Sequence, residues 1–307
     1  MRYRMTAVDR KFNRKVHEAA MKDGGYVIPI EGMRFFRRSI GEGTFAILYL
    51  GEDNEGRRIV LKKFERNDYR ESKTEKAIEY KKVKLRERKE ILMQDPFARL
   101  VEVFPEGNNF GFVAEYFDGI TIDDCLESTK YPRKREKFVD LEDRDIQARI
   151  FSTYVQMLKV LHSQGLVYYD NSWRNVMVSS DEVKIIDPDS IKSLDELNRK
   201  EGPEIAVGYV NEFASLAQVT RQDYSESVDL EGVALMIDYF YWGSAFFNMF
   251  GDVVYVVQQQ ERDYTLNRSR LIPSKLREFV VQVISKPLEH GMTLSDLESA
   301  VNLEFGL

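Results

Sequence analysis

Cysteine and histidine are scarce in this chain of 307 residues, at one and three respectively. The single cysteine, Cys125, cannot close an internal disulfide, which either fits a reducing compartment, such as the expected cytoplasm, or carries no information. Three histidines with no Cys/His cluster argue against a zinc site. A strong charge of either sign is also missing. The formal net charge is −6, which argues against nucleic acid as the main ligand. The basic N-terminal stretch MRYRMTAVDRKFNRKV has no apolar core of a secretory signal. Nor is there an unbroken apolar run. Residues 232–257, GVALMIDYFYWGSAFFNMFGDVVYVV, are long enough to cross a bilayer, but Asp238, Asn248, Asp252 and several glycines interrupt them. No basic flank follows, so the stretch reads as a buried helix and no membrane span is expected. Internal repeats and low-complexity tracts are absent.

The length allows two lobes with substantial cores. Residues 1–32 read as an extension, with helical spacing in DRKFNRKVHEAAMKD and a stop near Gly24-Gly25. From Met33 to Glu65, apolar and polar residues alternate around Gly and Asn-Glu-Gly turns, which predicts three successive antiparallel strands. RESKTEKAIEYKKVKLRERKEILM lacks Gly and Pro and predicts one long helix, most of its charge lying on a solvated face. Strand signals return in LVEVFPEGNNFGFVAEYF, with a turn over residues 106–109. Beyond it the chain is mainly helical, and IQARIFSTYVQMLKVLHSQG has apolar residues at helical spacing. The sequence thus predicts an α+β fold of a small β-rich lobe with one long helix, residues 33–117, and a larger helical lobe, residues 118–307.

Three constellations could carry chemistry. In IGEGTFAIL, Gly41 and Gly43 lie on a strand–turn–strand, either as an ordinary hairpin turn or as backbone that approaches phosphate closely. In RIVLKKF, about twenty residues later, Lys62 and Lys63 point to opposite faces of one strand. A lysine among inward-facing apolar residues is costly unless it meets an anion, and Lys62 is the one chosen. The third is YYDNSWRNVMVSSDEVKIIDPDS. Between Asn175 and Asp187 it reads as a tight hairpin, which would return Asp187 to Asn175 near Asp170. Such an oxygen-bearing group suits Mg²⁺ with phosphate co-ligands, and phosphoryl transfer requires little more than these parts.

The ordered set over residues 33–307 resembles the eukaryotic-like protein kinase superfamily. The resemblance implies a two-lobed fold, ATP and Mg²⁺ as cofactors, and transfer of the γ-phosphate to a protein hydroxyl. It makes Asp170 the catalytic base, Asn175 and Asp187 the metal ligands, and Lys62 the cation on the α- and β-phosphates. Gly41 and Gly43 become the phosphate loop, and Glu115–Gly119, with Glu115 and Phe117, becomes the hinge that receives adenine behind a small Ala114. A glutamate of the long helix would pair with Lys62, Glu87 by first choice and Glu90 by second. Asp229 would open the buried central helix of the large lobe and hold the catalytic loop by its backbone. Glu212, in GYVNEF, would end the activation segment, whose presence together with that helix favours a protein substrate over a small molecule.

The chain departs from the family pattern at several positions. Tyr168-Tyr169 replace the His-Arg before the catalytic Asp; an aromatic can fill the histidine's space, but tyrosine cannot receive an activation-loop phosphate. Activity independent of such phosphorylation is therefore expected. Ser172 stands where serine/threonine kinases carry lysine, and Arg174 could stabilise the transferred phosphate as in tyrosine kinases; serine/threonine substrates remain the favoured class. Asp187-Pro188-Asp189 replaces Asp-Phe-Gly, and proline should hinder a flip of that segment. Asp189 is either a further metal ligand or part of an Asx-turn, and SLDE at 193–196 predicts a capped helix just beyond. The arginine expected to pair with Glu212 near HGMTLSDL is absent. A pseudokinase that binds nucleotide without transfer, or a kinase-fold enzyme acting on a small molecule, are the alternative readings.

Overall fold

The computed structural model describes residues 26–30, 32–42, 46–64, 71–105, 110–130, 139–199, 213, 215, 218, 224–242, 269–286 and 289–307. The expected helix of the N-terminal extension, the turn at 106–109, Gly43 and Glu212 lie outside them. The described residues through Gly119 form one unit and those from Ile120 onward a second.

In the first unit, β1 (Tyr26–Ile30), β2 (Met33–Glu42), β3 (Ala46–Asp53), β4 (Arg58–Phe64), β5 (Leu100–Val103) and β6 (Phe110–Glu115) form one sheet in the order β1-β2-β3-β4-β6-β5. Every neighbouring pair is antiparallel. Strands β2 to β4 are the three expected from alternation. The strand β1 falls within the stretch expected as an extension, yet it pairs with β2; Gly32, at φ 80°, supplies the left-handed conformation at the turn. The Asn54-Glu55-Gly56 turn is closed by Asp53, whose Oδ1 accepts from the backbone N–H of Glu55 and of Arg57, both at 2.9 Å.

Two-residue alternation divides β4 cleanly. Ile59 and Leu61 pack with Phe35, Phe104 and Val113 on one face. Phe64, on the other, packs with Ala46 and with Ile78 of helix α1 (Glu71–Glu87). The single long helix expected over residues 70–93 is broken. Arg88 leaves helical dihedrals (φ −99°, ψ 8°) as its side chain is buried, and a short α2 (Lys89–Leu92) follows.

The second unit contains β7 (Ile120–Thr121), α3 (Ile122–Lys130), α4 (Arg144–His162), β8 (Leu166–Tyr168), β9 (Val176–Val178), β10 (Val183–Ile185), β11 (Ile191–Ser193), α5 (Leu194–Asn198), α6 (Ser227–Trp242), α7 (Ser274–Ser285) and α8 (Leu294–Phe305). Two small sheets, β10-β9-β7 and β11-β8, carry the loop at 169–175. Helix α4 starts on an Asp143 cap, which accepts from the N–H groups of Asp145 and Ile146. Helix α8 packs on α4 and α7, and α7 packs on α6. Residues Val228 to Asp238 of α6 are all buried, so the run read from sequence as a buried helix is helical as far as Trp242 and buried through Asp238, while Trp242 itself is exposed; residues 243–257 lie outside the description. No described helix is long and apolar enough to cross a membrane.

Candidate active site

The loop from Tyr168 to Asn175 is shaped by short local bonds. Ser172 Oγ accepts from Arg174 N–H, which starts a single 3₁₀ turn over Trp173–Asn175. Trp173 anchors that turn: its indole N–H donates to the Met236 carbonyl of α6 at 2.8 Å, and its ring meets Phe151, Tyr154 and Phe240 edge-on or tilted. Asn175 Nδ2 donates to the Asp170 carbonyl at 3.0 Å. That bond commits the amide nitrogen and leaves Oδ1 as the atom that can meet a cation.

The expected hairpin forms. Val176 pairs with Ile185 and Val178 with Val183, and Ile186 N–H donates to the Asn175 carbonyl. Asp187 is thereby returned to the end of the strand that Asn175 begins. The structure thus brings together Asp170, Asn175 and Asp187. Among the described residues no group of three or more His, Cys, Asp and Glu is arranged to hold a metal ion by itself. A magnesium site of one amide and one carboxylate, completed by phosphate and water, is not of that kind, and the donor set present fits it.

Asp229 holds the loop from beneath. Fully buried at the start of α6, its carboxylate accepts from Tyr168 N–H at 3.0 Å and from Asn171 Nδ2 at 3.1 Å, and His162 Nε2 stands at 2.9 Å. Asn171 is held on its other side by the Tyr154 hydroxyl. Gly232, one turn further along α6, is required by this packing. A Cβ there would stand 2.6 Å from Asn171 Nδ2 and 2.8 Å from its Cγ. In an ordinary helix Gly→Ala stabilises by about 1 kcal/mol. Here Gly232→Ala is expected to lower stability by about 1–3 kcal/mol and to displace Asn171 beside Asp170. A melting curve checks it, and a raised Tm would contradict the packing described.

In the first unit, Lys62 sits on the central strand β4, opposite Leu48 of β3 and Phe112 of β6. Its ammonium lies 5.7 Å from the Phe112 ring centroid and 5.9 Å from that of Phe64. Ala114 is buried on β6 opposite Val60, on the same face as Lys62 by alternation. Glu115 ends β6 with its N–H bonded to the Arg99 carbonyl, and Phe117 follows, half-buried. Gly41 lies near the end of β2, opposite Leu48.

The protein kinase domain family matches residues 36–300 of this chain. The chain belongs to that family. It is also 29% identical over 150 residues to a serine/threonine-protein kinase, crk1, of Schizosaccharomyces pombe. The match covers 48% of this chain and 39% of the relative, so the chain spans well under half of that relative's length. Within the kinase family the expected architecture is the observed one, an antiparallel β-rich N-terminal unit and a mainly helical C-terminal unit.

Kinase membership sharpens the two tyrosines. Tyr168 does more than fill space: its hydroxyl donates to the Asp187 carbonyl at 3.1 Å, so it holds the backbone at Asp187. Burial, reinforced by the nearby Asp187 carboxylate, pushes its phenol well above the ordinary value and keeps that proton in place. Tyr169 packs with Val167, Leu197 and Val228, and with Leu194 and Tyr224. The position that would read a phosphate is instead the centre of an apolar cluster reaching α5. The expected capping box starts α5, with Ser193 and Glu196 bonded reciprocally. Asn198 and Tyr224 then exchange two hydrogen bonds, at 2.9 and 2.7 Å. Asp189 is buried in a 3₁₀ turn over Pro188–Ser190.

Three residues singled out in the sequence, Arg174, Glu87 and Glu90, have the following surroundings. The Arg174 guanidinium meets Asp123 of α3 at 3.1 Å. Glu87 is the last residue of α1, its side chain 55% exposed and paired with Lys84 at 2.8 Å; Glu90 is exposed on α2, and neither is brought to Lys62. The buried stripe of α1 is Ala77, Ile78, Lys82 and Leu85. Glu79 borders it, and sequence reasoning passed it over because one glutamate in a dense charge run carries no mark of its own. The signal was the 78/82/85 spacing, which fixes the face turned to the sheet.

Proposed function

We propose that this chain transfers the γ-phosphate of ATP to a protein hydroxyl, with serine and threonine favoured over tyrosine. The observation that carries the reading is the junction of Asp170, Asn175 and Asp187, fixed by the β9–β10 hairpin and by Asp229. Asp170 orients the attacking hydroxyl and accepts its proton. Asn175 Oδ1 and the Asp187 carboxylate would hold Mg²⁺, which when bound neutralises charge on the phosphates. Lys62 would meet the α- and β-phosphates, with Glu79 rather than Glu87 as its carboxylate. Gly41 and Gly43 would lie over the phosphates, and Ala114, Glu115 and Phe117 would line the adenine site. The single, buried Cys125, whose thiol burial pushes up to about 12, is not a competing nucleophile and fits a cytoplasmic setting. The similarity to crk1, a serine/threonine-protein kinase, supports the serine/threonine preference.

Transfer from γ-labelled ATP to a mixed protein substrate tests the reading. Asp187→Ala is expected to weaken Mg-ATP binding by about tenfold or more, read by nucleotide titration with and without Mg²⁺. Equal affinity in the variant would remove Asp187 from the metal site. Phosphatase treatment is expected to leave activity unchanged, because Tyr169 sits in an apolar cluster and cannot bind a phosphate. Loss of activity on dephosphorylation, restored by a phosphosite between residues 190 and 209, would overturn that expectation.

A further inference from the structure

A lysine that is fully buried needs an explanation. Lys82 has no exposed side-chain surface and lies in the apolar stripe of α1, between Ile78 and Leu85. Leucine or methionine there would continue the stripe without the desolvation cost of an ammonium. The Lys82 ammonium donates to Glu79 Oε1 at 3.0 Å and to the Pro105 carbonyl at 3.1 Å. One turn on, Arg86 donates to the neighbouring Phe104 carbonyl. Two cations of α1 are thus tied to consecutive carbonyls just past β5, which fixes the helix against the sheet.

Glu79 is left half-used. Its Oε1 is bonded to Lys82, while Oε2 is buried with no hydrogen-bond partner. A buried carboxylate oxygen in that state is costly and calls for a cation. The same stretch of α1 packs on the Phe64 ring of β4, beside which the Lys62 ammonium also lies. Ile78 packs on Phe64, the Lys81 ammonium is 5.6 Å from that ring centroid, and the Lys62 ammonium is 5.9 Å from it.

We propose that Lys82 is a positioning residue that fixes Glu79 by one oxygen and presents the other to Lys62. The unit that sets Lys62 is then a chain of three groups, Lys82–Glu79–Lys62, instead of a simple ion pair. This rests on the reading of Lys62 as the phosphate-binding cation. A second consequence is that α1 is held in its working position by bonds internal to its own unit.

The test is a double-mutant cycle in the full chain with Lys82→Met, Glu79→Gln and the double variant, with Lys82→Arg as the conservative control. Each is measured for kcat, KM for ATP, Mg-ATP affinity by fluorescent-nucleotide titration, and Tm. Each single change is expected to lower kcat/KM for ATP by about tenfold, the double change no further, and Lys82→Arg by less than about threefold. Losses that multiply in the double variant, or that track Tm alone, would show a merely structural lysine and overturn the proposal. So would Lys82→Met with nucleotide affinity and kcat/KM equal to wild type. A wild type that binds Mg-ATP without transferring phosphate fails the enzyme reading only, and the affinity pattern still decides on Lys82. A wild type that binds no nucleotide overturns both.

Discussion

Asp170→Ala is expected to lower phosphotransfer by about 10³-fold while leaving Mg-ATP affinity within about threefold of wild type. That rate factor corresponds to roughly 4 kcal/mol of transition-state stabilisation. The separation of the two effects follows from the local bonding. The loop is held through the Asp170 backbone carbonyl, which accepts from Asn175 Nδ2. Truncation at Cβ therefore leaves Asn175 in place with its Oδ1 directed as before. The carboxylate itself is partly exposed, so its loss opens no cavity in the core. Single-turnover transfer and nucleotide titration on the same preparations check both halves. Transfer equal to wild type would exclude Asp170 as the base, and a matching loss of affinity would mean that the loop itself had moved.

Asp229→Ala should act on folding as well as on rate. Asp229 is fully buried and serves Tyr168 N–H, Asn171 Nδ2 and His162 together. Removing it leaves buried donors without acceptors, each costing about 1–3 kcal/mol. The expected loss is about 3–5 kcal/mol, comparable to breaking a buried ionic contact. For a unit of this size that lowers Tm by roughly 10 °C or more. Asp229→Asn should fall between, since the amide keeps one acceptor but turns an NH₂ toward a donor. Thermal melts rank the three proteins, and an alanine variant that melts with wild type and keeps its activity would contradict the role described.

Much of this was legible in the sequence because the signals were local. The β9–β10 hairpin, the Asn-Glu-Gly turn, the Ser193–Glu196 capping box and the central position of Lys62 each follow from a few adjacent residues. The rest depends on partners distant in the chain. Gly232 looks like a tolerated helix glycine until Asn171 is placed against it, 61 positions earlier in sequence. Tyr168 looked like a filler until its hydroxyl met the Asp187 carbonyl. The strand β1 was hidden because Tyr26–Ile30 has little alternation and gains its place by pairing with β2. Glu79 was missed because all the glutamates of α1 satisfy the same helix pattern, and only the buried stripe selects among them.

The central claim is that the Asp170, Asn175 and Asp187 junction transfers phosphate. The most direct measurement incubates the wild-type chain with γ-labelled ATP, Mg²⁺ and a generic protein substrate, with Asp170→Ala in parallel. The account predicts label on serine and threonine of the substrate with wild type, and at most about one part in 10³ of that rate with the variant. Intact Mg-ATP binding with no incorporation by wild type would contradict it and make the chain a nucleotide-binding pseudokinase.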